Sequence, residues 1–115
     1  MELNREIARE IVGRTGAEVE FAENGAVCLE MVEQAPAGYF DMILMDITMP
    51  VMGGIEATKR IRRLEDRKKA AVPIIAMTAN VGEWDRKTAF DAGMDGFTEK
   101  PIHIEKLYAT MKKLL

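Results

Sequence analysis

The stretch Tyr39-Phe40-Asp41-Met42-Ile43-Leu44-Met45-Asp46 is apolar at every position except Asp41 until it stops on an aspartate. A run that is apolar on both side-chain faces belongs to a strand covered from both sides, which is the environment of a central strand in a parallel sheet. Val72 to Met77 repeats the pattern and stops on Thr78. Between the two runs, Pro50, Gly53 and Gly54 make a turn, and Ile55, Thr58, Ile61 and Leu64 recur at the spacing of a helix with a basic outer face.

The same reading extends to both ends. Toward the amino terminus, Leu3, Ile7, Ala8 and Ile11 predict a helix stopped by Gly13 and Gly16, and Ala17, Val19 and Phe21 alternate as in a short strand. Asn24 then caps a helix with Val27, Cys28, Met31 and Val32 turned inward, ending near Pro36 and Gly38. Toward the carboxyl terminus, a helix from about Gly82 to Ala92 stops at Gly93, Gly96 to Glu99 reads as a short strand, and Ile104, Leu107, Met111 and Leu114 mark a last amphipathic helix. Strands separated by single helices imply parallel pairing with right-handed crossovers, hence an α/β three-layer sandwich.

Length and composition agree with that reading. A chain of 115 residues, 48% hydrophobic and 30% charged, suits one globular domain and is too apolar for disorder. No apolar run approaches the length of a bilayer-spanning helix and no signal-peptide layout is visible, so a cytoplasmic, non-membrane protein is expected. Sixteen basic against nineteen acidic residues give a net charge of -3, which argues against binding nucleic acid by phosphate neutralisation. Cys28 is the only cysteine, which excludes an intrachain disulfide and a cysteine metal cage.

In an open α/β sheet, ligands bind outside the carboxyl ends of the strands. Asp46 and Thr78 end two predicted strands, and Lys100 with Pro101 follows a third. A carboxylate, a hydroxyl and an ammonium at one edge suit phosphoryl chemistry: the carboxylate can act as nucleophile to form an acyl phosphate while the others hold the phosphoryl oxygens. A divalent metal normally screens that charge.

The chain resembles the receiver domain of two-component response regulators, and most of all the receivers of hybrid histidine kinases. The residues that carry the resemblance are Glu2-Leu3-Asn4-Arg5-Glu6, Ala22-Glu23-Asn24-Gly25, Ile43-Leu44-Met45-Asp46, Met49-Pro50-Val51-Met52, Pro73 to Ala79, Gly93-Met94-Asp95-Gly96 and Lys100-Pro101, in order along the whole chain. The resemblance implies a flavodoxin-like fold of strand order 2-1-3-4-5. It implies that Asp46 takes a phosphoryl group from a phosphohistidine, that Asp46 and the backbone carbonyl of Thr48 hold Mg2+, and that Thr78 is a switch hydroxyl. It further implies that Lys100 pairs with Asp46, that Lys100-Pro101 is a cis peptide, and that Phe97 is the aromatic ring reporting the switch. The implied partner is a histidine kinase or a histidine phosphotransfer protein, and the implied output is a population shift between two surface conformations.

Two departures from the family pattern shape the expectations. A first strand ending in two acidic residues would precede Met1; without it, four strands and five helices are expected in an amino-terminally truncated receiver spanning 1–115. Mg2+ binding would then be weakened or lost, with Glu2 a poor replacement, and two chains would associate as a homo-oligomer to cover the wider apolar faces. The second departure is Gly53, where the family usually carries an acidic or amide residue; glycine still caps a helix, and Glu56 could complete half of a capping box.

Other residues read more plainly. His103 suits a helix start, Cys28 suits inert packing, and the basic run from Lys59 to Lys69, interrupted by Glu65 and Asp66, suits a solvated helix end. Trp84 is either a partner contact or a ring packed against a neighbouring loop. A signalling module that is no enzyme beyond assisting its own phosphoryl transfer is expected. The alternatives are a degenerate receiver that binds partners without phosphorylation and, less well matched, an aspartyl-phosphate hydrolase, which would want an acid where Thr48 stands.

Overall fold

A computed structural model describes residues 24–47, 51–78, 83–99 and 104–114. The helix expected around Leu3 to Ile11 and the strand expected around Val19 lie outside the described residues. Within them the chain runs α1 (Gly25–Gln34), β1 (Ile43–Asp46), α2 (Gly54–Arg62), α3 (Arg67–Ala70), β2 (Ile74–Thr78), α4 (Glu83–Ala92), β3 (Gly96–Glu99) and α5 (Ile104–Leu114). The described strands form a parallel sheet in the order β1-β2-β3, with Ile43 opposite Ile74, Asp46 opposite Met77 and Thr78 opposite Glu99.

Alternation along the strands divides the core into two layers. Met45, Ile74 and Ala76 face one side, where they pack with Val32 of α1, Ala57 and Ile61 of α2, and Ala89 of α4. Ile75 faces the other, against Met111 and Tyr108 of α5 and beside Leu44. Helices therefore cover both faces of the sheet, as the apolar runs in β1 and β2 require. Burial of Met45, Ile61, Ile74 and Ile75 is essentially complete, and each such side chain contributes about 1.5–3 kcal/mol of transfer free energy.

Local chemistry sets the element ends. The Asn24 side chain accepts from the Val27 amide at 3.0 Å to start α1. Gly93 closes α4 at φ 109°, a left-handed conformation that costs glycine little, and the Met94 amide reaches back to the Ala89 carbonyl. β1 begins only at Ile43, although the apolar run opens at Tyr39. A turn at Gly38 (φ 84°) precedes it, Tyr39 is 55% exposed, and pairing starts where the Ile43 amide meets the Pro73 carbonyl at 2.8 Å. Proline has no amide to donate, so β2 itself starts after Pro73.

Three expectations need correction. Val27 does not face inward but is 36% exposed, because Gly25, Cys28, Leu29 and Val32 define the packed arc of α1 and Val27 falls nearly opposite it. Glu56 makes no capping-box bond: Gly53 caps α2 without a side-chain hydrogen bond, and the Glu56 carboxylate accepts from Arg60 Nε at 2.9 Å instead. The basic run is not wholly a solvated helix end. It contains the short helix α3, capped by the Asp66 side chain, and Arg62 turns inward.

Candidate functional site at the carboxyl edge of the sheet

Asp46 is the last residue of β1 and is half-buried. Its position is set by backbone bonds on each side. The Ile47 amide donates to the Met77 carbonyl at 3.0 Å, tying the strand end to β2, and the Ile47 carbonyl accepts from the Gly54 amide at 3.0 Å, tying it to the start of α2. The connection from β1 to α2 is thus a closed loop, and the Gly25 amide holds its far side through the Met52 carbonyl at 2.8 Å. Val51, at the loop's outer side, has φ 66° and is 87% exposed.

Thr78 ends β2 one residue beyond the partner of Asp46, and its own partner Glu99 ends β3. The register therefore brings the Asp46 and Thr78 backbones to the same sheet edge, and β3 ends there too. The Thr78 side chain, Thr48, Lys100 and Pro101 lie outside the described residues, as do His103 and the Trp84 side chain; Trp84 itself belongs to α4. Phe97 sits in β3 opposite Ala76, half-buried against the main core, with the Arg86 guanidinium 5.5 Å above its ring in a cation–π arrangement.

Cys28 packs against the same core, and burial pushes its thiol above the ordinary value. Among the described residues, His, Cys, Asp and Glu side chains form no group of three able to hold a metal ion. No described helix is long and apolar enough to cross a membrane.

Sequence reasoning missed the opposite edge of the sheet. Arg62, the last residue of α2, donates to the carbonyls of Gly93 (2.8 Å), Ala70 (2.6 Å) and Val72 (2.7 Å) and to the Asp95 carboxylate (2.8 Å). Asp95 also accepts from the Ile74 amide at 2.9 Å. Burial lowers the Arg62 pKa, Asp95 offsets only part of that, and the guanidinium stays charged. Lys69 likewise reaches the Glu33 carbonyl, at 2.6 Å. These partners are distant in sequence, so no local pattern announces them.

A parallel sheet covered by helices on both faces, with an aspartate closing one strand, is shared by many α/β proteins, and comparison with known proteins selects among them. The response regulator receiver domain family matches residues 1–112, and the chain belongs to that family. It is 40% identical to two-component response regulator ORR41 of rice, over 97% of this chain and 86% of that protein. It is 38% identical to hybrid signal transduction histidine kinase L of Dictyostelium discoideum, over 96% of this chain but only 7% of that much longer protein. Among solved structures, the receiver domain of a Pseudomonas aeruginosa sensor histidine kinase superposes with a TM-score of 0.86 at 30% identity, covering 99% of this chain and 89% of its own. That structure carries magnesium in its active site cleft. The chain is a receiver domain of two-component signalling.

Proposed function

We propose that this receiver accepts a phosphoryl group on Asp46 from a phosphohistidine of a histidine kinase or histidine phosphotransfer protein. The observation that carries the reading is the ending of β1 on Asp46 at the carboxyl edge of the parallel sheet, in a chain matched to the receiver family along nearly its whole length. A carboxylate oxygen of Asp46 attacks phosphorus, the O–P bond of an acyl phosphate forms as the N–P bond breaks, and the departing imidazole keeps the electron pair and takes up a proton. Thr78 and Lys100 hold the phosphoryl oxygens as the transfer proceeds.

Asp46 and Thr48 supply two of the oxygen donors that magnesium takes, a set expected to hold it weakly. The Asp46 carboxylate and the Thr48 carbonyl are hard oxygen ligands of the kind it takes, and these two residues would hold it. When bound, the ion screens the charge of the transferring group.

The test is labelling with acetyl phosphate and magnesium. Wild type should take one phosphoryl group, and Asp46→Asn should abolish labelling while leaving the circular dichroism spectrum unchanged. Label that persists in a folded Asp46→Asn variant would overturn the assignment. A folded wild type that takes no label would mark the chain as a receiver acting through protein contacts alone.

A further inference from the structure

Resting on the reading of Asp46 as acceptor, we infer that Gly53 and Gly54 are positioning residues for the transfer: having no side chains, they let the start of α2 seat directly on the backbone of Asp46 and Ile47. Gly54 is buried, and a Cβ there would fall well inside 3.0 Å of the Asp46 carbonyl oxygen, 2.8 Å from Met45 Cγ and 3.0 Å from Ile47 Cα. Two of those three neighbours are backbone atoms, and Met45 is only 2% exposed, so little can give way by side-chain rotation alone. Gly53 stands one step further off, its Cβ position 3.1 Å from the Ile47 carbonyl oxygen.

Backbone conformation does not ask for glycine at either place. Gly53 has φ -74°, open to any residue, and Gly54 is the first residue of a helix, where alanine is the better helix former. What requires glycine at 54 is the close approach itself. β1 cannot retreat from it, because the Ile47 amide is bonded to Met77 and the strand is registered against β2 residue by residue. A methyl group at 54 therefore has to shift the end of β1 or the start of α2 seated on it, and we infer that the Asp46 carboxylate, which must meet phosphorus in line, is displaced with them. Displacements of about 1 Å are enough to cost on the order of a hundredfold in such steps.

The experiment compares the full chain and three variants, Gly54→Ala, Gly53→Ala and Ile61→Val, in labelling by acetyl phosphate with magnesium at saturating and subsaturating donor, each rate divided by the folded fraction. Ile61 is fully buried at the other end of α2, so its variant loses stability without touching Asp46. The expected result is a fall in maximal rate of tenfold or more for Gly54→Ala and about two- to fivefold for Gly53→Ala. The half-saturating donor concentration should stay within about twofold of wild type, because alignment and not donor affinity is lost. Ile61→Val should label within about twofold of wild type whatever its melting temperature. Should Gly54→Ala fail to fold, Gly53→Ala against Ile61→Val decides, since the milder clash and ordinary φ let Gly53→Ala fold. Rates that follow melting temperature across the variants, or glycine variants that label like Ile61→Val, would overturn the inference while leaving Asp46 as acceptor. A folded wild type that takes no label would overturn both.

Discussion

The two ends of α2 solve opposite problems with opposite residues. At its start, Gly54 brings bare backbone against Asp46, and a single carbon would be too much. At its end, Arg62 throws one of the longest side chains available across to four acceptors on two stretches of chain, 70–72 and 93–95. On the proposed reading of Asp46 as acceptor, the first end sets where the reacting carboxylate stands. The second supplies donors to three part-buried carbonyls, which is a matter of stability. If Asp46 is the acceptor, one helix separates the demands of chemistry from those of folding by about the length of its own axis.

Removing Arg62 is the strongest way to test that separation. Arg62→Ala strips the donor from three carbonyls and leaves Asp95 without its cation, and should destabilise the fold by about 2–4 kcal/mol as read from urea midpoints. Arg62→Lys should recover only part of it, because an ammonium cannot span the planar fork of acceptors. Labelling of Asp46 per folded molecule should be unchanged in both. A labelling defect in Arg62→Lys at full foldedness would break the comparison, since it would mean that the far end of α2 also sets the acceptor.

A smaller effect sharpens the picture at the site edge. Val51 is a β-branched residue at φ 66°, a conformation that crowds its Cβ, yet it is almost wholly exposed and gains little from burial. Val51→Asn, which tolerates this conformation, should raise stability by about 1 kcal/mol in the same urea assay. No gain would mean that the loop, closed by the Ile47 to Gly54 bond, absorbs the strain without cost.

The smallest effect lies on the outer face of α2. Arg60 depresses the Glu56 pKa, chiefly through their hydrogen bond, so the pair's contribution is present above the ordinary carboxylate value and is lost as pH falls through the depressed one. Both side chains are exposed, so the contribution should be barely measurable and should vanish in salt. Comparing wild type with Glu56→Gln in urea titrations near neutral pH and at acid pH, with and without added salt, checks this. A large difference surviving in salt would mean that the outer face of α2 also carries stability now attributed to Arg62.

How much of this was legible beforehand follows from the range of each interaction. β3 was read residue for residue at Gly96–Glu99, and α4 and α5 nearly so, because periodicity and a stop residue such as Gly93 act within a few positions. The same local reasoning failed at Val27, whose inward or outward placement depends on how α1 is rotated against α2, and at Glu56, where two local partners competed and Arg60 won. It failed most clearly at Arg62, which sits in a run of charges that looks like a solvated surface.

By itself, then, the sequence determined the α/β order, the apolar strands buried on both faces, and the placement of Asp46 at a strand end, since each of these follows from side-chain type and spacing along a few turns or a single strand. Only the tertiary structure decided that Arg62 closes the far edge of the sheet and that Gly54 lies against Asp46. Both are contacts between segments brought together by packing: Arg62 meets Gly93 and Asp95 from the next crossover, and Gly54 returns across the loop to the strand it left. The energy of such contacts depends on distances of a few tenths of an ångström, and no spacing along the chain encodes those until the core has set the strands and helices in place.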